Sequence, residues 1–330
     1  MEIQLADKDG HQIKAIMNAS LDAELNGGER DFELTINAGE YENTIRIGYR
    51  IFIENTEIGG VIGEPHVDTS SESITLKGYT WRGLMQKKII IPPADKDHYA
   101  VSGELNEVLR SLIEPMFDGV FKVPKIDTGI TIDYEFDRFC TLLEGLTKML
   151  KNVGHRLEIS YNEGEPNGSG WVDVSAVPIK DYSEEIELSQ DSKLNFRMTD
   201  KRNGVNHLVV GGKGDMQDRN VFHLFVQEDG TIGNNQFYTG IEEIVEFYEN
   251  TSTDTDDLES KSREKLESIM NKQTFEMDVE KLGIDVAIGD IIGGRDYRTG
   301  MSMKKPLENI IVVISGGTIK KEYKLEGTNG

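Results

Sequence analysis

Alternating apolar and polar residues in the last part of the chain predict β-strands. Residues 275–279 and most of residues 319–325 alternate with a two-residue period, which is typical of strands with one buried face. An apolar run at residues 310–314 is followed by two glycines within residues 315–318. Glycine tolerates the positive φ values that a tight hairpin requires. Residues 275–325 therefore predict half of a small β-barrel.

A second copy of this pattern lies near the N-terminus. The matched segments are residues 32–36 with residues 275–279, residues 45–49 with residues 286–290, and Gly59-Gly60 with Gly293-Gly294. The apolar positions keep the same phase in both copies, and the second and third matches place glycine opposite glycine. An internal duplication is one interpretation, and a chance similarity of short strands is the other, because β-strands share a composition.

The chain divides into three regions by composition. Residues 1–91 contain several short strand patterns, including Ile45 to Ile53 on one predicted face, and end before Pro92-Pro93. Residues 92–185 mix helix and strand patterns. Residues 186–330 return to strands, with a helical insertion around residues 256–272. The predicted fold class is a β-rich α+β protein, in which two small β-barrels are separated by an inserted α+β domain.

Two amphipathic helices are predicted within the inserted domain. Ser102 is the expected cap of the first, whose apolar residues recur at spacings of three and four up to Ile113. Asp137 is the expected cap of the second, which carries Phe139 and ends before Gly154. The polar, glycine-rich residues 162–170 predict an exposed hairpin tip between two further strands.

Charge and composition exclude several classes of protein. The chain has 36 Lys+Arg against 59 Asp+Glu, a formal net charge of −23, which argues against a nucleic-acid-binding surface. A single cysteine, Cys140, excludes an intrachain disulfide and fits a reducing cytoplasm. The N-terminus has no pattern of a secretion signal, and the apolar runs are too short to span a bilayer. We expect no membrane insertion.

Each sequence motif that could indicate a metal site, a phosphate loop or a nucleophile is incomplete or has a simpler structural interpretation. His207 and His223 have no zinc-motif spacing and are interpreted as structural. Asp254 and Asp256 could open a calcium loop, but Glu259 stands where that loop needs glycine. The glycines of residues 211–214 fit a turn after a strand better than a phosphate loop. Cys140 is interpreted as a buried, inert thiol. We therefore assign no catalytic, cofactor-binding or metal-binding residues, and predict no cofactor and no enzymatic activity.

Three segments, in this order along the chain, resemble the hub proteins of phage tails and phage-like contractile particles, which include the late-control-protein-D-like and related siphophage tail proteins. The segments are Gly78-Tyr79-Thr80-Trp81-Arg82-Gly83-Leu84 with Lys88-Ile89-Ile90-Ile91-Pro92-Pro93, then Asn206-His207-Leu208-Val209-Val210-Gly211-Gly212-Lys213-Gly214, then Ile288-Gly289-Asp290-Ile291-Ile292-Gly293-Gly294-Arg295-Asp296. The resemblance covers nearly the whole chain, and it depends on the order and spacing of these segments.

The resemblance implies a structural protein of the virion tail or baseplate, assembled in the cytoplasm of the bacterial host. It implies two tube-type β-barrels in each chain and a homotrimer, in which six barrels form a ring between a hexameric tail tube and a threefold spike. The expected partners are the tail tube protein and the spike protein, with tape-measure and other baseplate proteins as further candidates. We expect DNA to pass without specific binding, past carboxylates that line the channel. No lytic domain is expected, because the chain ends at Gly330.

A carbohydrate-binding or cell-wall-degrading tail-associated β protein is the alternative. Such a protein would use aromatic residues, here Trp171 and Tyr161, together with convergent carboxylates in an open cleft. The abundance of acidic residues makes some carboxylate pairs inevitable, and none of them has a feature that singles it out.

Overall fold

The computed structural model of the chain describes residues 2–26, 31–41, 45–67, 70, 72–166, 168–183, 196–201, 203–214, 218–228, 230–251, 255–270, 272–277, 285–295, 300 and 302–325. The chain divides into two compact units. The first comprises Met1–Phe196 together with Glu276–Glu326, and the second comprises Arg197–Phe275. The predicted domain boundaries near residues 91 and 185 stay a prediction.

A ten-stranded sheet runs through the first unit. Its strands are β1 (Ile3–Ala6), β2 (Gln12–Ile16), β3 (Ser20–Glu24), β4 (Phe32–Asn37), β5 (Arg50–Phe52), β6 (Gly59–Val67), β7 (Ser73–Thr80), β19 (Ile291–Arg295), β20 (Ser302–Ser315) and β21 (Thr318–Leu325). The order is β19-β20-β3-β4-β7-β6-β5-β1-β2, and β21 also pairs with β20. The strands from the two ends of the chain therefore share one sheet, joined by the antiparallel pairing of β20 with β3.

Alternation of apolar residues explains this sheet. Phe32, Leu34 and Ile36 of β4 are buried, while the residues between them are only partly so, as expected for a strand with one face in the core. The predicted hairpin after residue 314 is confirmed: Gly316 and Gly317 both have positive φ and connect β20 to β21. Two glycines with positive φ are the requirement of a type I′ turn, which matches the twist of paired strands.

The inserted α+β segment follows β7. Its elements are α1 (Trp81–Gln86), β8 (Tyr99–Glu104), α2 (Leu105–Ile113), β9 (Phe121–Lys122), β10 (Thr131–Phe136), α3 (Leu142–Asn152), β11 (His155–Asn162) and β12 (Trp171–Pro178). β8 pairs with β10, and β9, β12 and β11 form a second small sheet. The core of this segment includes Phe52 of β5, whose ring stacks on Tyr161 at 3.9 Å between centroids. Trp81 stacks on the same tyrosine at 5.7 Å.

Both predicted helices of this segment exist, but their predicted caps are wrong. The first begins at Leu105, capped by Glu104, whereas Ser102 lies within β8. The second begins at Leu142, where Thr141 and Glu144 form a reciprocal capping box. Asp137 lies upstream of it, and Phe139 has a positive φ and an exposed ring. The apolar stripes nevertheless face the core as predicted, because periodicity marks a buried face better than it marks a helix end.

The described residues of the second unit form a four-stranded sheet that packs against an α-helix. Its elements are β14 (His207–Gly211), β15 (Val221–Val226), β16 (Ile232–Gly233), β17 (Val245–Glu249) and α4 (Thr255–Ile269), with the sheet order β16-β15-β14-β17. Leu258 and Leu266 of the helix are buried in one cluster with Leu208 and Leu224 of the sheet. The remaining strands, β13 (Phe196–Lys201) and β18 (Lys272–Met277), pair with each other, and the boundaries between the units fall within them.

The predicted class, a β-rich α+β protein, is confirmed. The described sheets are open, so the two separate barrels stay a prediction. The predicted long strand over residues 45–53 is wrong, because Ile47 lies in a turn and is 66% exposed, and β5 begins only at Arg50. None of the helices among the described residues is long and apolar enough to cross a lipid bilayer.

Buried arginines connect the large sheet to the inserted segment. Arg156 of β11 donates from Nε to Oδ1 of Asp290 at 2.7 Å, and Asp290 is fully buried. The same carboxylate accepts hydrogen bonds from the backbone N–H groups of Lys180 and Ala287. Arg50 donates to the carbonyl oxygens of Gly170 and Lys8. Each of these charges is paired or hydrogen-bonded, as burial requires.

Replacing Arg156 is expected to destabilise the first unit strongly. Arg156→Met leaves the Asp290 carboxylate buried without a cation, which costs about 3–5 kcal/mol of unfolding free energy. Lys148→Met is the matched control, because the Lys148–Asp137 pair is 60% and 65% exposed and such pairs contribute about 0.2–1 kcal/mol. Denaturant unfolding followed by tryptophan fluorescence measures both. Equal losses in the two variants would contradict the assignment of Arg156 and Asp290 as a buried anchor.

Glu104 links the start of α2 to the loop before β10. Its carboxylate accepts from the hydroxyl of Thr128 at 2.6 Å and from the backbone N–H groups of Thr128 and Glu107 at 2.9 Å. Burial opposes ionisation of this group, but these hydrogen bonds outweigh it and lower the pKa of Glu104 from 4.5 to about 2. The stabilising effect of the carboxylate is therefore present above pH 4.5 and is lost as the pH falls through 2.

Glu104→Gln is expected to be less stable than the wild type at neutral pH, and this difference is expected to shrink between pH 4.5 and 2. Urea unfolding at a series of pH values measures the difference. Thr128→Val is an intermediate variant, because it removes the hydroxyl donor and keeps the backbone donors. A stability difference that stays constant down to pH 2 would contradict the proposed role of the carboxylate.

Candidate functional site

A glycine turn occurs twice in the first unit with the same hydrogen bonds. In the first copy, Tyr49 N–H donates to Arg46 O at 3.1 Å, and Gly48 has φ +89°. In the second copy, Asp290 N–H donates to Ala287 O at 3.0 Å, and Gly289 has φ +97°. Both copies thus form the same turn at the position where the sequence aligns Gly48 with Gly289.

The turn makes the same pair of contacts in each copy. Gly48 N–H donates to Ile62 O at 2.8 Å, and Ile62 N–H donates to Tyr49 O at 2.8 Å. In the second copy Gly289 and Asp290 make these two bonds with Leu307, at 2.8 and 2.7 Å. Ile62 and Leu307 are therefore equivalent residues on equivalent strands.

The strands that follow also repeat. β5, β6 and β7 pair antiparallel in the first copy, as β19, β20 and β21 do in the second. The pairing of β6 with β7 is interrupted by a bulge between Ile62 and Glu64, and the pairing of β20 with β21 by a bulge between Leu307 and Asn309. A bulge at the same position of two hairpins is a specific feature, because it shifts the register of all later pairs.

The structures of the two copies change the interpretation of two sequence matches. Residues 45–49 and 286–290 are equivalent, but they form turns rather than the predicted strands. Gly59-Gly60 lies on β6, the second strand of its hairpin, whereas Gly293-Gly294 lies on β19, the first strand. The two glycine pairs are therefore not equivalent, and the bulge lies beyond Gly59-Gly60 in chain order. Of the predicted strand at residues 275–279, residues 278 and 279 lie outside the described residues.

The two turns are fixed by different side chains. Asp290 anchors the second turn through Arg156 of the inserted segment. Its equivalent in the first copy is Tyr49, and the next residue, Arg50, makes the contact with Gly170 instead. The backbone of the repeat is thus kept, while the residues that attach it to the inserted segment differ.

The second unit brings together two histidines that are distant in sequence. Nδ1 of His207 lies 2.6 Å from Oε1 of Glu243, and Nε2 lies 2.7 Å from Nδ1 of His223. The ring of Phe225 stacks on His207. The register of β14 with β15 explains the contact, because His207 lies opposite Phe225 and Val209 opposite His223, and diagonal neighbours on one face are within reach of large side chains. Both histidines thus have hydrogen-bond partners, as a structural role requires.

A second polar cluster lies in the turn between β1 and β2. Asp7, Asp9 and His11 are close enough to hold an ion. The backbone N–H groups of Asp9 and His11 both donate to Asp7 Oδ1 at 2.9 Å. Burial opposes ionisation of Asp7, but these hydrogen bonds and the His11 side chain outweigh it and lower its pKa. The local turn accounts for this cluster.

The candidate nucleophile and the two candidate sugar-binding aromatic residues lie in surroundings that do not favour those roles. Burial, and then the nearby carboxylates of Asp137 and Glu144, raise the pKa of the Cys140 thiol, which disfavours a nucleophilic thiolate. Tyr161 is buried in the aromatic core. Lys122 Nζ lies 3.5 Å from the ring centroid of Trp171, so its ammonium covers one face of the indole.

Alanine substitutions at the two equivalent glycines are expected to differ in cost. Both glycines have positive φ, so Gly48→Ala costs about 1–2 kcal/mol of unfolding free energy through backbone strain. A Cβ at Gly289 would also lie 2.8 Å from Arg156 Cβ, whereas at Gly48 the nearest atom is 4.0 Å away. Gly289→Ala is therefore expected to cost a further ~1–3 kcal/mol. Denaturant unfolding of both variants measures the difference, and equal losses would contradict the steric argument.

Comparison with solved structures identifies the fold. The chain superposes on a 43 kDa tail protein of prophage MuSo2 from Shewanella oneidensis with a TM-score of 0.50 and 12% sequence identity, covering 98% of each chain. The prophage tail protein gp18 from Listeria monocytogenes gives a TM-score of 0.47 at 14% identity, over 98% of this chain and 94% of that one. A tail protein from Neisseria meningitidis gives 0.46 at 13% identity, over 98% and 96%.

No protein-family model matches the chain, and no curated protein sequence matches it. The superposition with the Shewanella protein extends over nearly the full length of both chains, so it concerns the whole architecture rather than one common sheet motif. The chain thus has the fold of a prophage tail protein, and the resemblance to phage tail proteins is confirmed at the level of the fold.

Proposed function

We propose that this chain is a structural hub protein of a phage tail or phage-tail-like particle, without enzymatic activity. The observation that carries the proposal is the repeated turn and hairpin, in which two segments of one chain make the same hydrogen bonds and the same bulge. The fold of a prophage tail protein supports the tail as its location.

Duplication within one chain has a use in a particle of mixed symmetry. Three chains that each carry two equivalent elements present six such elements, so a trimer has true threefold symmetry and approximate sixfold symmetry. Such a ring can contact a hexameric tube on one side and a threefold spike on the other. Residues 1–91 and 186–330 each supply one copy of the repeat, and we propose that each copy forms part of a tube-type barrel in the ring, with residues 92–185 inserted between them.

The proposed partners follow from this position. They are two further copies of the chain, the tail tube protein and the spike protein, with tape-measure and other baseplate proteins as neighbours, all assembling in the cytoplasm of the bacterial host. The formal net charge of −23 suits passage of DNA without specific binding, because carboxylates repel phosphates at short range.

A carbohydrate-binding or cell-wall-degrading role is less well supported. Tyr161 is buried, so its ring is closed to a sugar, and Lys122 covers one face of the Trp171 ring. Sugar binding by aromatic residues needs an exposed ring face. The repeat has no evident use in such a protein.

The oligomeric state tests the proposal. We expect the purified protein to form a trimer, either alone or when it is mixed with the tube and spike proteins of the same particle, through interfaces above roughly 2,000 Å². Light scattering coupled to gel filtration measures the mass of each mixture. A chain that stays monomeric with both partners present would contradict the proposal, as would turnover of cell-wall polysaccharide by the isolated protein.

A further inference from the structure

One edge of the first copy is unpaired beyond the bulge. The segment Glu64 to Val67 at the end of β6 pairs with β7 on one side. On its other side, no strand of the described part of the chain pairs with it. Val67 is 58% exposed. An open edge of this kind presents backbone N–H and C=O groups that can accept another strand.

The equivalent edge of the second copy is occupied. Because Ile62 is equivalent to Leu307, the residue that follows each bulge is Glu64 in β6 and Asn309 in β20, and Val67 is then equivalent to Val312. Val312 pairs with Ala23 of β3 and is 0% exposed. The second copy therefore shows which partner this edge takes: the strand that precedes β4.

The equivalence also predicts the direction of the backbone groups at the open edge. Leu25 N–H donates to Ile310 O at 3.0 Å, so Ile310 faces β3. Alternate residues of an antiparallel strand direct their N–H and C=O groups to the same side, and Val312 faces β3 as well. By equivalence, Pro65 and Val67 direct their backbone groups to the open edge of β6.

The proline at position 65 does not prevent such pairing. Ile310, its equivalent, donates its N–H to Oδ1 of its neighbour Asn309 rather than to β3. Only the carbonyl oxygen of Ile310 takes part in the bond with Leu25. A proline keeps that carbonyl and lacks only the N–H, so Pro65 removes no hydrogen bond that the second copy makes between these strands.

The second copy also contains a candidate for the missing strand. In the first copy, β3 pairs with β4, and the glycine turn follows β4 in the chain. In the second copy, β13 pairs with β18, and the glycine turn follows β18 after a similar number of residues. By this order β13 is the counterpart of β3. The second edge of β13 is not paired with any other described strand.

We propose that the edge of β6 over Glu64 to Val67 binds β13 of a second copy of this chain, in the way that β20 binds β3 within the chain. This inference rests on the proposed function, since it assigns the contact through which the hub ring would close. The two edges differ, so the contact is head-to-tail, and repeated head-to-tail contacts form a ring when the rotation closes. The pairing within one chain is the template for the pairing between chains.

Val67→Pro tests the proposal. This substitution removes the one N–H of the described edge that the pairing needs, at an exposed position where an edge strand tolerates proline. Val67→Ala is the matched control, because it keeps the N–H. Under the conditions in which the wild type is trimeric, we expect Val67→Pro to be monomeric and Val67→Ala to be trimeric. At a concentration low enough for both variants to be monomeric, we expect them to have equal unfolding midpoints. A trimeric Val67→Pro variant would overturn the proposal.

Hydrogen exchange separates this proposal from the proposed function and does not depend on a variant. In the monomer, the Val67 amide is expected to exchange quickly and the His66 amide, which faces β7, slowly. In the trimer, Val67 is expected to gain at least a tenfold protection. A trimer in which Val67 gains none would overturn the strand contact and leave the hub function standing. A protein that never trimerises with the tube and spike proteins would overturn both.

Disulfide trapping identifies the occupant. In a Cys140→Ser background, Val67→Cys is combined with a cysteine at Arg197, Met198 or Thr199 of β13, one at a time. Mixed trimers of isotope-labelled and unlabelled chains then distinguish the source of each crosslink. Crosslinks between chains at neighbouring β13 positions would support the proposal. Crosslinks only within a chain, or none at any β13 position, would overturn it.

Discussion

The buried carboxylate of Asp290 is the constraint on which the second half of the first unit depends. It is fully buried and accepts hydrogen bonds from Arg156 Nε and from two backbone N–H groups, of Lys180 and Ala287. These three donors come from different parts of the chain, so the carboxylate is satisfied only when β11, the end of the inserted segment and the second glycine turn are all in place. Removing any one of them leaves a charge without water and without a full set of partners.

In the first copy, the buried charge that attaches the turn to the inserted segment is a cation instead of a carboxylate. Arg50, at the start of β5, is itself the buried charge, and carbonyl oxygens of the inserted segment and of the β1–β2 turn accept its hydrogen bonds. The turn, hairpin and bulge are identical in backbone pairing. Backbone hydrogen bonds do not depend on side-chain identity, and this explains how a duplicated element can keep its geometry after its two attachments have diverged.

Part of this architecture could be predicted from the sequence. Alternation located β4 and β21, and helical periodicity located the buried stripes of α2 and α3, because both patterns reflect which face meets the core. The alignment of Gly48 with Gly289 was also correct, since only glycine suits the positive φ of both turns. Alternation failed at Ile47, which follows the strand pattern but lies in a turn. The contact between His207 and His223 could not be predicted, because it depends on the register of two strands.

The second unit occupies a defined place in the repeat. In the first copy, a short loop joins β3 to β4. In the second copy, the equivalent strands β13 and β18 are separated in sequence by β14 to β17 and α4, which form their own sheet and core. A connection between paired strands is where an insertion disturbs the sheet least, because both flanking strands keep their partners. The second unit can therefore have features of its own, such as the Glu243–His207–His223 chain, within a connection between two strands that pair with each other.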